Sequence, residues 1–167
     1  PGIIFPHVIF QIIKNGIFVV PTFLPYMNYA LLGEREHQLM DTVLAARAII
    51  EEKKKRFTQA YRQGVQIAFG RDSGGFMMDQ GEFVSEMLYM EDAGMTRADV
   101  IRSATENAAK LCGIYDETGS IEEGKSADMV LLDGNPLDDL AAFSKTLRCV
   151  FMRGDYLVGT ERDKRDV

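Results

Sequence analysis

The chain has 167 residues with 19 basic and 25 acidic side chains, a net charge of −6, and is 46% apolar and 26% charged. That composition buries a core of ordinary domain size and excludes a disordered or collagen-like chain, while the acidic balance leaves nucleic acid no electrostatic footprint. The one basic run, Lys53-Lys54-Lys55-Arg56, directly follows Glu51-Glu52, and no apolar run reaches the roughly 20 residues that span a bilayer.

Cys112 and Cys149, with no CxxC pair, read as reduced core thiols of a cytoplasmic protein. The chain opens on Pro1 with no basic region before its apolar start, which predicts neither a signal peptide nor a natural start and so a fragment.

Pro6 suits a first helical turn, and Val8, Ile9, Ile12 and Ile13 then recur at helical spacing up to Asn15-Gly16. Ile17-Phe18-Val19-Val20 is β-branched and aromatic on both faces, which predicts a buried parallel strand ended by Pro21. A loop carrying Pro25 and Gly33 follows. Leu39, Val43, Ala46, Ile50, Phe57 and Tyr61 keep helical rhythm up to Gln63-Gly64, predicting one long amphipathic helix with a potential break near Lys53.

Val65–Phe69 is the second strand, and it runs into the polar, permissive loop Gly70-Arg71-Asp72-Ser73-Gly74-Gly75. A helix with Phe83, Met87 and Met90 on one face closes at Gly94. The pattern Thr96-Arg97-Ala98-Asp99 then predicts a capped helix through Val100, Ala104, Ala108 and Leu111. This alternation of helices and strands predicts an α/β fold with parallel strands. After Tyr115 the glycines at 119, 124, 134, 154 and 159 punctuate short apolar runs at Met129–Leu132, Leu147–Met152 and Tyr156–Val158, which predict a hairpin with one further strand. Residues 161–167 read as a frayed end.

Asp72 is the strongest candidate for chemistry. It follows a buried strand at its carboxyl end, where α/β barrels place catalytic groups, and glycines nearby let a ligand approach. The plainer reading is an N-cap or turn residue. His7 and His37 belong to neither HxH nor HExxH and read as partly exposed histidines. The segment from Gly70 to Gly74 fits neither dinucleotide nor P-loop glycine spacing, and the methionines at 77, 78, 87, 90 and 95 read as core packing.

Gly70-Arg71-Asp72-Ser73-Gly74 after an apolar strand resembles the Gly-Thr-Asp-Ser/Ala-Gly segment that ends the eighth barrel strand of the amidohydrolase superfamily. Further pieces match in order: Glu91 to Thr96 with the helix carrying Ile101, Ala104, Thr105, Asn107, Ala108 and Ala109; Gly119 to Asp128; and Asp133 to Leu137. Asn15 to Thr22 looks like the seventh-strand segment of the imidazolonepropionase and prolidase-like branch.

The resemblance implies the C-terminal part of a (β/α)8 TIM-type barrel, about two strand-helix units over residues 1–115. Short strands of a small composite β-sandwich domain would follow over 116–160. It further implies that Asp72 is both metal ligand and proton acceptor for the attacking water in a zinc-type hydrolase of a C–N bond. The divalent metal would draw its remaining ligands from outside this chain, since one plausible ligand is present and a catalytic zinc site normally has three.

Ser73, Gln80 and Glu82 are expected to line the pocket for a small amide, cyclic amide or dipeptide-like substrate. Lys125 and Asp128 are expected to shape turns. Several family features are absent from the sequence: HxH, a bridging lysine in its usual context, and the histidines of the fifth and sixth strands. Arg71 stands where the family has a small residue. Those departures favour the competing reading, a non-catalytic barrel fragment that pairs with a partner chain. In either case exposed barrel edges predict self-association or a homo-oligomer, and these residues alone are expected to be inactive.

Overall fold

The computed structural model describes residues 6–74 and 83–159, which divide between two compact units, Pro1–Thr96 and Arg97–Val167. In the first unit, α1 (Pro6–Lys14) buries Ile9 but leaves Val8 and Ile13 exposed, so its buried face is narrower than the apolar spacing predicts. The next segment meets the second predicted strand through one parallel bridge, Val19 to Ile67. Val19 N–H donates to the Gln66 carbonyl (2.9 Å) and Ala68 N–H to the Val19 carbonyl (3.1 Å).

The parallel pairing is therefore present, but neither Ile17–Val20 nor Val65–Phe69 forms an extended strand. A ladder lengthens when each segment has paired neighbours, and among the described residues each of these has one. Burial separates the two: Val65, Ile67 and Ala68 are buried, whereas Ile17 and Val20 are 50% and 39% exposed. The expected cover on both faces is thus missing from the first segment.

The stretch read as a loop contains a helix, α2 (Leu24–Leu32), with Phe23 as its N-cap. Pro25 sits in its first turn, where a missing N–H costs nothing. Gly33 is required by packing, because a Cβ there would lie 2.5 Å from the Tyr29 carbonyl oxygen and 2.8 Å from Val43 Cγ2. The long helix α3 (Met40–Arg62) runs unbroken past Lys53 and buries Val43, Ala46, Ile50, Phe57 and Ala60. Phe57 meets Phe23 edge-on, with ring centroids 5.2 Å apart, and stacks on Tyr61.

In α4 (Val84–Asp92), Val84, Met87 and Met90 are buried as an apolar face requires. Phe83, expected on that face, is instead the N-cap residue and is 40% exposed.

In the second unit, α5 (Arg97–Arg102) starts directly after Thr96, but the helix does not continue regularly to Leu111. A π-turn occupies Ser103–Asn107 before α6 (Ala108–Leu111). Ser103 Oγ donates to the Val100 carbonyl (2.6 Å) and Thr105 Oγ1 to the Ile101 carbonyl (2.9 Å), the hydroxyl back-bonding that competes with the regular ladder. Gly119, at φ +95°, approaches this turn so closely that a Cβ would lie 2.5 Å from Ala109 Cβ.

Asp128 accepts from Arg153 N–H (2.8 Å) and from Thr118 Oγ1 (3.0 Å). Lys125 donates to Ser120 Oγ (2.7 Å) and lies 3.6 Å from the Tyr115 ring centroid. Both side chains hold the loop that precedes β1 (Met129–Leu132).

That strand pairs antiparallel with β2 (Leu147–Met152), which pairs antiparallel with β3 (Asp155–Gly159), in the order β1-β2-β3. The hairpin turns at Arg153-Gly154, both at positive φ, which matches strand twist. A short helix not predicted from the sequence, α7 (Ala142–Lys145), lies between β1 and β2. Neither cysteine is in a disulfide; Cys149 is buried, whereas Cys112, expected in the core, is exposed at the end of α6.

Candidate active site at the strand ends

The bridged segments of the first unit end side by side at Val20 and Gly70. A Cβ on Gly70 would lie 2.6 Å from Val20 Cγ1, so only glycine admits this approach. Beyond Val20 the chain turns through buried Pro21 and Thr22, which adopts φ +51°, into α2. Beyond Gly70 come buried Arg71 and exposed Asp72, the latter at φ +56°. Aspartate tolerates that left-handed geometry better than most residues.

Between these ends, α2 and α3 lies a cavity of about 720 Å³ whose wall includes Pro21, Tyr26, Tyr29, Lys53, Arg71 and Asp72. Ser73 is exposed beside Asp72 and is not part of that wall. Gln80 and Glu82 lie outside the described residues.

A second carboxylate, Glu86, was not among the sequence candidates. It sits in the first turn of α4 and is fully buried, with Oε1 accepting from Phe23 N–H (2.8 Å) and Oε2 from Leu24 N–H (2.7 Å). Burial pushes its pKa up, opposed first by those two amides and then by the charges of Lys53 and Arg71. Burial lowers the pKa of Lys53, with Glu86 opposing; its Nζ lies 4.3 Å from the Tyr26 ring centroid. The sequence signal was present: a glutamate between Val84 and Met87 on an otherwise apolar face.

The raised pKa of Glu86 has a definite sign in stability. Between the ordinary glutamate value of 4.5 and the higher folded value, the folded state holds more protons than the unfolded one. Stability should therefore fall as pH rises through that window. Chemical denaturation at a series of pH values should show this slope in the native sequence and lose it in Glu86→Gln.

No group of three or more His, Cys, Asp or Glu is placed to hold a metal ion among the described residues. Both oxygens of Glu86 are engaged by amides, so among the described residues Asp72 is the exposed carboxylate at the ends of the bridged segments. The donors present fit one ligand of a shared metal site, not a complete one.

The model of the amidohydrolase family matches residues 2–157. The chain belongs to the amidohydrolase family. This amidohydrolase chain is 33% identical over 134 residues to the ochratoxinase of Aspergillus niger, covering 79% of the chain and 27% of that protein. It is 34% identical over 89 residues to an imidazolonepropionase of Mesorhizobium japonicum, covering 51% and 21%.

Its fold superposes on the crystal structure of a Xaa-Pro dipeptidase with bound methionine in the active site. The TM-score is 0.82 at 32% identity, over 92% of the chain and 37% of that protein. The amidohydrolase chain thus spans between about a fifth and just over a third of the length of these relatives.

Proposed function

We propose that the chain is the C-terminal part of a metal-dependent amidohydrolase that hydrolyses a C–N bond in a small amide, cyclic amide or dipeptide-like substrate. The observation that carries this reading is the placement of Asp72, exposed at the end of a bridged strand segment and on the wall of the 720 Å³ cavity. Residues 1–115 would contribute the last strand-helix units of a TIM-type barrel, and residues 116–160 would join a small β-domain.

A divalent metal of the zinc type, when bound, would make water nucleophilic near neutral pH and polarise the scissile carbonyl. Asp72 would give it one oxygen and take the proton from the attacking water, a pairing of ligand and base that needs an ionised carboxylate. Tyr26 and Tyr29 would bound the substrate side of the cavity. The likeness to a Xaa-Pro dipeptidase and to an ochratoxinase supports a substrate of small-amide size.

Phe10, Ile13 and Ile17, exposed by 60%, 44% and 50%, support an edge that neighbouring strands or a second copy cover. No helix among the described residues is long and apolar enough to cross a membrane.

The test is hydrolysis by the full-length protein loaded with zinc. Xaa-Pro dipeptides, N-acyl amino acids and cyclic amides are offered, and released amine is measured. Turnover of at least one class, abolished by chelation, is the expected result. A folded, zinc-loaded protein that turns over none of the three overturns the reading.

A further inference from the structure

We propose that Glu86 is a positioning residue: its carboxylate, reaching from α4, holds the chain at Phe23 and Leu24 and so sets the α2 wall of the cavity facing Asp72. The inference rests on the hydrolase reading above. Helix α2 has no side-chain cap of its own, because its N-cap position holds Phe23, whose ring is committed to the core against Phe57. Its first amide donors are instead met by a carboxylate more than sixty positions away in sequence.

A local Ser or Asp would satisfy those donors at less desolvation cost, so the distant glutamate does something a local cap does not. It ties the loop after one bridged segment to the helix that follows the other, directly next to the Thr22, Pro25 and Tyr26 wall of the cavity. Thr22, directly before the clamped residues, is a β-branched residue at φ +51°. Such a conformation persists where its surroundings over-determine it, and the clamp at Phe23 and Leu24 is that constraint. Arg71, the neighbour of Asp72, also acts electrostatically on Glu86, so both sides of the cavity refer to one buried group.

Two variants of the full-length enzyme test this. Glu86→Gln keeps the reach but turns an NH2 group toward one of the two amides, and Glu86→Asp keeps the charge but is one methylene short. Both should raise KM for the hydrolysed substrate about ten-fold, the size of one lost charge-assisted hydrogen bond, with kcat within about three-fold because Asp72 is untouched. A merely structural role would lower Tm and the folded fraction without this split.

Amide hydrogen exchange at Phe23 and Leu24 should speed by at least about ten-fold relative to Ala68. Unchanged KM in a folded variant, or unchanged exchange at the two amides, overturns the proposal. If neither variant folds, the native enzyme decides: exchange at Phe23 and Leu24 as fast as at exposed Gln66 overturns it, and strong protection supports it. If the native protein hydrolyses nothing, the hydrolase reading falls by itself. The exchange comparison then still judges whether Glu86 holds the wall.

Discussion

Replacing Asp72 with asparagine in the full-length amidohydrolase is expected to lower kcat by several orders of magnitude while leaving Tm nearly unchanged. Asparagine keeps the shape and one weak oxygen donor but loses the charge and the basicity that a ligand and proton acceptor needs. The backbone gives the substitution a clean control. Asp72 sits at φ +56°, and asparagine accepts the left-handed region as readily as aspartate, so the local turn should survive. The side chain is exposed, so no core contact is lost.

If Asp72 were only a turn or cap residue, the change would alter stability by no more than about 2 kcal/mol and leave turnover intact. Measuring kcat and the thermal midpoint on one preparation separates the two, and normal kcat in Asp72→Asn would end the catalytic assignment.

Phe23→Ala should produce the largest loss of stability in the first unit, about 3–5 kcal/mol. The ring is fully buried, meets Phe57 edge-on at 5.2 Å between centroids, and lies 5.7 Å below Lys53 Nζ. Truncation leaves a cavity where α2 packs on α3, and it also removes an aromatic pair and a cation–π contact. The Phe23 N–H is untouched, so the Glu86 clamp remains available and the loss reports side-chain packing. For a domain of this size it corresponds to a fall in Tm of roughly 10 °C. A fall under about 3 °C, read by circular dichroism, would show that α2 is not held by this ring.

Much of the helical architecture was legible because its signals are local. The four-three spacing from Val43 to Phe57 marked the buried stripe of α3, and Thr96 marked where α5 begins. The helix α2 was hidden because Pro25 and Gly33 punctuate it. Each has a local meaning as a breaker, and only packing shows Pro25 in a first turn and Gly33 under Tyr29 and Val43. The π-turn at Ser103–Asn107 was hidden for a related reason, since hydroxyl back-bonding leaves the apolar spacing of the helix nearly unchanged.

Asp72 was visible at the site because strand, glycine and carboxylate are adjacent in sequence. Glu86 stood out only as a lone glutamate on the apolar face of α4, and its role was not legible because its partners at Phe23 and Leu24 lie far away along the chain. Residues near one another in the chain were enough for the helices α1, α3 and α4, the three antiparallel strands of the second unit, the family likeness and the carboxylate offered after the second bridged segment. Only the tertiary structure decided which carboxylate is exposed and which is spent on backbone amides. Burial and charge balance are properties of what surrounds a side chain in space, and two glycine-flanked segments must first be brought within a van der Waals contact of each other before those surroundings exist.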